Sequence, residues 1–184
     1  MSGRIDTDTG RLIRAGLSDL DLARRLLASQ QLAPLLAADI DGNLLADLSG
    51  AADPDLALLL LVRILEACDA QQAHRLTSAL SADADLRRRV IEVIGMSEAL
   101  GEFIERHPEE WETLSDAEAL SEAPSQRGAR ALLLEAVGAH PDDPTPVASG
   151  HDEEVLDALR VAYRRLLLGI AARDLSGLAP MEIV

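Results

Sequence analysis

One stretch of this sequence is apolar around nearly its whole circumference, and it constrains the fold more than any other feature. Asp53-Pro54 opens it, a capping acid followed by proline at the first helical position, and the run Leu56 to Leu65 is interrupted only by Arg63. Arg63, Glu66 and Asp69 form its single polar stripe. A helix advances about 100° per residue, so no orientation lets one neighbour cover all of these side chains. Residues 54–68 must therefore be the central element of a bundle, with other helices on several sides.

The rest of the sequence points the same way. Hydrophobic residues make up 48% of the 184, but the excess is Leu and Ala, with one Trp, one Tyr and one Phe, a choice that favours helices over strands. No sustained period-two alternation and no strand-helix-strand spacing occurs. The expected fold is all-α, an irregular multi-helix bundle with a long C-terminal helix.

Punctuation along the chain supplies the elements. Residues 1–16 are polar and read as a flexible N-terminus. Ser18 reads as an N-cap ahead of a stripe of Leu22, Ala23, Leu26 and Leu27, and Pro34 opens a short helix that breaks at Asp41-Gly42-Asn43. Residues 71–80 continue helically after a turn. Asp83 or Asp85 starts the next helix, with Leu86, Val90, Val93 and Ile94 inward, Arg87 and Arg88 toward water, and Gly95 at its end. Ser97 opens a shorter helix that His107-Pro108 stops, Pro108 restarts the chain helically, and residues 115–127 form a polar connector. Arg130 to Val137 is again helical. The proline-rich segment 140–151 reads as a linker, so the expected organisation is a bundle over 17–139, the linker, and a long helix with tail over 152–184. That last part would pack on the bundle or on a downstream domain outside this chain.

Charge narrows the functional classes. There are 32 acids against 17 bases, a formal net charge of -15, and every base is Arg. Phosphate backbones are held by clustered cations, so a nucleic-acid role is not expected. The absence of Lys removes Schiff-base chemistry and a phosphate-loop lysine. The longest apolar run, Leu56 to Val62, is too short to span a bilayer, and Met1 to Gly16 has no signal-peptide core, so a cytoplasmic location is expected. Cys68 lies within an apolar helix and reads as a small buried hydrophobe. His74, His107, His140 and His151 fall at no metal-ligand spacing, and no phosphate loop or nucleophile motif is present. No catalytic, cofactor-binding or metal-binding residue is expected.

The C-terminal helix is the informative one. On a helical wheel Val155, Leu159, Ala162, Tyr163, Leu166 and Ile170 share a face, the one expected to pack on the bundle. Val161 and Leu168 lie on the other side with Ala172 continuing the strip and Arg160, Arg164 and Arg165 beside it. That second strip is the expected interface with a partner or a further domain, and for Arg173 and Asp174 the two readings are an Arg that complements the helix dipole and an ion pair with another domain.

Two segments resemble a known family. The stretch Leu86-Arg-Arg-Arg-Val-Ile-Glu-Val-Ile-Gly-Met-Ser-Glu-Ala-Leu100 with His107-Pro-Glu-Glu-Trp111, and then Leu159-Arg-Val-Ala-Tyr-Arg-Arg-Leu-Leu-Leu-Gly-Ile-Ala-Ala-Arg-Asp-Leu175, resemble the N-terminal helical region of glutamine synthetase adenylyltransferase. The resemblance implies a large nucleotidyltransferase that attaches AMP to glutamine synthetase or removes it, using Mg²⁺ and ATP or phosphate under a nitrogen-signalling PII protein. The combined element that carries catalysis in that family, a Gly-Ser step followed by Asp-x-Asp, is absent here because the chain has no Gly-Ser step, so this chain is expected to be inactive alone, as a fragment or a truncated relative. Its implied partners are a downstream nucleotidyltransferase domain, glutamine synthetase and PII. The alternative is an independent helical interaction domain whose Arg160, Arg164 and Arg165 meet an acidic partner.

Overall fold

The computed structural model describes residues 9–39 and 42–175. Helices α1 (9–14), α2 (Leu20–Leu27), α3 (Ala33–Ala38), α4 (Asn43–Gly50), α5 (Pro54–Ala67), α6 (Ala70–Ala82), α7 (Ala84–Met96) and α8 (Glu98–Arg106) are followed by a 3-10 turn at Pro108–Leu114, then α9 (Ala117–Ser121), α10 (Gln126–Ala136) and α11 (Asp152–Leu175). No strand occurs among the described residues. The chain divides into two compact units, 1–115 and 116–184.

In the first unit α5 is the hub, and its ends show why it forms. The Asp53 carboxylate accepts the Leu56 N–H at 2.9 Å and Pro54 occupies the first turn. Ala57, Leu58, Leu60, Leu61, Val62, Ile64 and Leu65 are all buried, against α2, α4, α6, α7 and α8. Each Leu or Ile so buried is worth about 1.5–3 kcal/mol, which makes this helix the largest contributor to the core.

α7 packs against α4, α5, α6, α8 and the 3-10 turn, and it is held by more than apolar contact. Leu86, Val90, Val93 and Ile94 face inward as expected. Arg87 does not face water: it is buried, its Nε lies 2.6 Å from Asp47 Oδ2 of α4, and its Nη1 donates to the Leu80 carbonyl of α6 at 3.0 Å. Arg89, also buried, donates from Nη1 to the Leu114 carbonyl at 2.8 Å. Both arginines reach carbonyls near helix ends, which lack intrahelical partners, and so recover part of the cost of desolvating a charge. Arg88 alone of the three is exposed, 3.0 Å from Asp85.

Gly95 does not end α7, which runs on to Met96. It is instead a contact point: the Asp53 N–H donates to the Gly95 carbonyl at 3.1 Å, and a Cβ on Gly95 would lie 2.8 Å from Ala51 Cβ and 3.1 Å from the Asp53 carbonyl oxygen. The start of α5 thus lies directly on the end of α7.

Local capping elsewhere follows the sequence, with one exchange. Asp69 and Gln72 form a reciprocal capping box on α6, Asp83 caps α7 and Ser97 caps α8. Asp19, not Ser18, caps α2. The Ser18 hydroxyl and N–H donate to Asp55 Oδ2 at 2.6 and 2.9 Å, and the Asp19 N–H reaches Oδ1. Burial pushes the Asp55 carboxyl up, but these bonds outweigh it and hold the group below its ordinary range. The N-terminal segment is also more structured than expected, since residues 9–14 are helical and Leu12 and Ala15 are buried. Residues 1–8 and the tail 176–184 lie outside the described residues.

The second unit contains α9, α10 and α11, with α11 against both others. Segment 140–151 is non-helical as its prolines require, yet it does not separate two bodies. It folds back on the end of α10: the Ser149 N–H donates to the Val137 carbonyl at 2.9 Å and its hydroxyl to the Gly138 carbonyl at 3.1 Å. Gly138, at φ +70°, provides the left-handed turn that leads into this loop. The division between the units falls at 115/116, where the polar connector begins.

Gly95→Ala is expected to destabilise the protein by about 1–3 kcal/mol through overpacking, despite the better helix propensity of Ala; the midpoint of urea unfolding measures it. Glu92 supplies a pH test. Burial raises its carboxyl above the usual range, Arg88 opposes, Asp47 adds to the rise and Arg89 opposes. The folded state binds this proton more tightly than the unfolded chain, so the stability linked to it is present in acid and lost as pH rises through the folded value. Glu92→Gln removes that loss, and its stability relative to wild type should increase between about pH 4 and pH 7 in urea titrations.

Candidate interaction surface

α11 carries apolar side chains on two sides, and the structure reverses which of them is covered. Leu168 and Ala172 are completely buried, and Val161 is half-buried. The strip expected to await a partner is therefore packed within the chain. On the side expected to pack, Leu159 is 38% and Tyr163 50% exposed, while Val155, Ala162, Leu166 and Ile170 are half-buried.

Gly169 follows Leu168, and a Cβ added there would lie 3.7 Å from Leu120 Cδ2 of α9, an ordinary van der Waals distance. The buried strip thus lies toward α9, a placement that apolar periodicity alone does not give.

The arginines beside the strip remain at the surface. Arg160 Nη1 lies 2.6 Å from Asp157 Oδ1, an exposed pair one turn apart that contributes little stability. Arg164 and Arg165 are exposed. Arg173 is mostly buried, 4.0 Å from Asp174, and its Nε has no partner among the described residues.

No reactive centre assembles from the other candidates. Among the described residues no group of three His, Cys, Asp or Glu side chains comes together. Cys68 is half-buried at the end of α5; burial raises its thiol above the ordinary range, Asp69 adds to the rise and Arg75 opposes. Two open hollows mark the first unit. One is walled by Ser18, Asp19, Leu20, Asp21 and Arg24, the other by Arg11, Arg14, Gly42, Leu45 and Ser49. No helix among the described residues is long and apolar enough to cross a membrane.

These features define an all-helical chain over the described residues, among which no group of three His, Cys, Asp or Glu side chains is placed to hold a metal ion. No known family model matches the chain, and no solved structure matches it significantly. Sequence relatives do. The chain is 42% identical over 176 residues to the bifunctional glutamine synthetase adenylyltransferase/adenylyl-removing enzyme of Streptomyces avermitilis, a match covering 95% of this chain and 16% of that enzyme. It is 43% identical over 173 residues to the enzyme of the same name from Bifidobacterium longum subsp. infantis, covering 94% of this chain and again 16% of the relative. The Streptomyces coelicolor enzyme gives 42% identity over 176 residues. The chain thus belongs, as a homologue of one segment, to the glutamine synthetase adenylyltransferase/adenylyl-removing family, and it spans about a sixth of the length of the relatives it matches.

Burial separates the two faces of α11 in a measurable way. Leu168→Ala should cost about 2–5 kcal/mol by leaving a cavity, whereas Leu159→Ala on the exposed face should change stability by less than about 1 kcal/mol. Comparing the two unfolding midpoints decides which face is core; equal effects would contradict the assignment.

Proposed function

We propose that this chain is the N-terminal helical, non-catalytic scaffold portion of a glutamine synthetase adenylyltransferase/adenylyl-removing enzyme that acts in the cytoplasm in the control of nitrogen assimilation. The observation that carries the proposal is identity above 40% along nearly the entire chain to one-sixth of two such enzymes. AMP transfer to glutamine synthetase, its removal, and the response to a PII protein would then be carried by the remaining five-sixths of the polypeptide. The role of this segment is to present a stable helical body against which catalytic domains are held.

The 184-residue chain incubated with glutamine synthetase, Mg²⁺ and radiolabelled ATP should transfer no AMP. Deleting the matching segment from the Streptomyces avermitilis enzyme should reduce adenylylation at least tenfold, and grafting this chain into the gap should restore it. Transfer by the isolated chain, or full activity after the deletion, would disprove the scaffold role.

A further inference from the structure

The face of α11 opposite its buried strip is apolar and unpartnered. Tyr163 and Ala172 are nine residues apart, which at about 100° per residue puts them on opposite sides of the helix. Around Tyr163 the residues Leu156, Leu159, Leu167 and Ile170 recur at intervals of three and four, giving a seam about 21 Å long at 1.5 Å per residue. Leu156 is 50%, Leu159 38% and Tyr163 50% exposed, while Leu167 and Ile170 are half-buried. Single exposed leucines are ordinary, but five apolar residues in register on one helix are a docking seam.

Given the assignment of the chain to one segment of a larger enzyme, on which this rests, we infer that the Leu156/Leu159/Tyr163 seam is covered by another part of the same polypeptide, through an apolar helix with acidic residues at its rim. Three observations select this occupant. The relatives are about six times as long as the matched segment, so their remaining polypeptide is tethered to this face at high effective concentration. Arg160 and Arg164 line one edge of the seam and are exposed, Arg160 beside Asp157 at 2.6 Å, so Arg164 is the cation that would meet a carboxylate. A second copy is disfavoured because two chains of net charge -15 would meet with Arg160 and Arg164 on both sides of the contact.

The test reads accessibility, not activity. Tyr163→Cys is made in a Cys68→Ser background, both in the isolated chain and in a chimera where this chain replaces the matching segment of the Streptomyces avermitilis enzyme; the chimera's other cysteines are replaced. Ser121→Cys, at an exposed position on α9, serves as a reference. Maleimide labelling at position 163 should be at least tenfold slower in the chimera than in the isolated chain, with position 121 changed much less. Leu156→Cys should behave like Tyr163→Cys, which guards against a local effect of losing the ring. A folded, helical chimera that labels at 163 as fast as the isolated chain overturns the inference and leaves the segment assignment standing. Protection that appears in the isolated chain as its concentration rises also overturns it, in favour of a second copy. A chimera that does not fold with this chain in place overturns the segment assignment instead.

Discussion

Burial of α5 over most of its apolar surface organises the first unit. Seven of its fourteen residues are buried, and five other helices are needed to cover them. A helix of this kind has no stable position at a surface, so the order in which the surrounding helices close over it is a matter of satisfying its circumference. One close contact is at Gly95, where an added Cβ would lie 2.8 Å from Ala51 Cβ and 3.1 Å from the Asp53 carbonyl oxygen. The start of the central helix and the end of its main neighbour are therefore fixed to one another by the absence of a methyl group.

The arginines of α7 add direction to what apolar contact leaves unspecified. Leucine surfaces slide over one another at little cost, but a guanidinium between Asp47 and the Leu80 carbonyl accepts one register of α4, α6 and α7. Arg89 does the same for the 3-10 turn through the Leu114 carbonyl. A protein with one Phe and one Trp has few large aromatic anchors, and buried Arg side chains with long apolar stems take over part of that role.

The second unit is built differently. α10 has no fully buried residue and α11 only Leu168 and Ala172, so most of the apolar surface of the two helices stays partly open. A helix of 24 residues with so small a buried share suits a segment that belongs to a larger body. Membership of a family whose other members are several times longer is consistent with that arrangement.

Much of this protein was legible from its residues alone. The central position of 54–68, the Asp53-Pro54 start, the caps at Asp83 and Ser97, the stop at His107-Pro108 and the long helix from Asp152 all follow from short-range chemistry, because caps, prolines and helical periodicity act within one or two turns. The family was legible too, from two Arg- and Leu-rich stretches. What the tertiary structure decided were matters of which neighbour comes to which side. Arg87 looks solvated until Asp47, forty residues earlier, is found beside it. Gly95 looks like a helix stop until Asp53 lies against it, and the proline-rich segment 140–151 looks like a linker until Ser149 bonds back to α10. The two apolar faces of α11 were both visible in the sequence, because helical periodicity acts within a turn or two. Periodicity records that a face is apolar; only the packed chain, through neighbours distant in sequence, shows that Leu168 and Ala172 are buried while Leu159 and Tyr163 stay exposed.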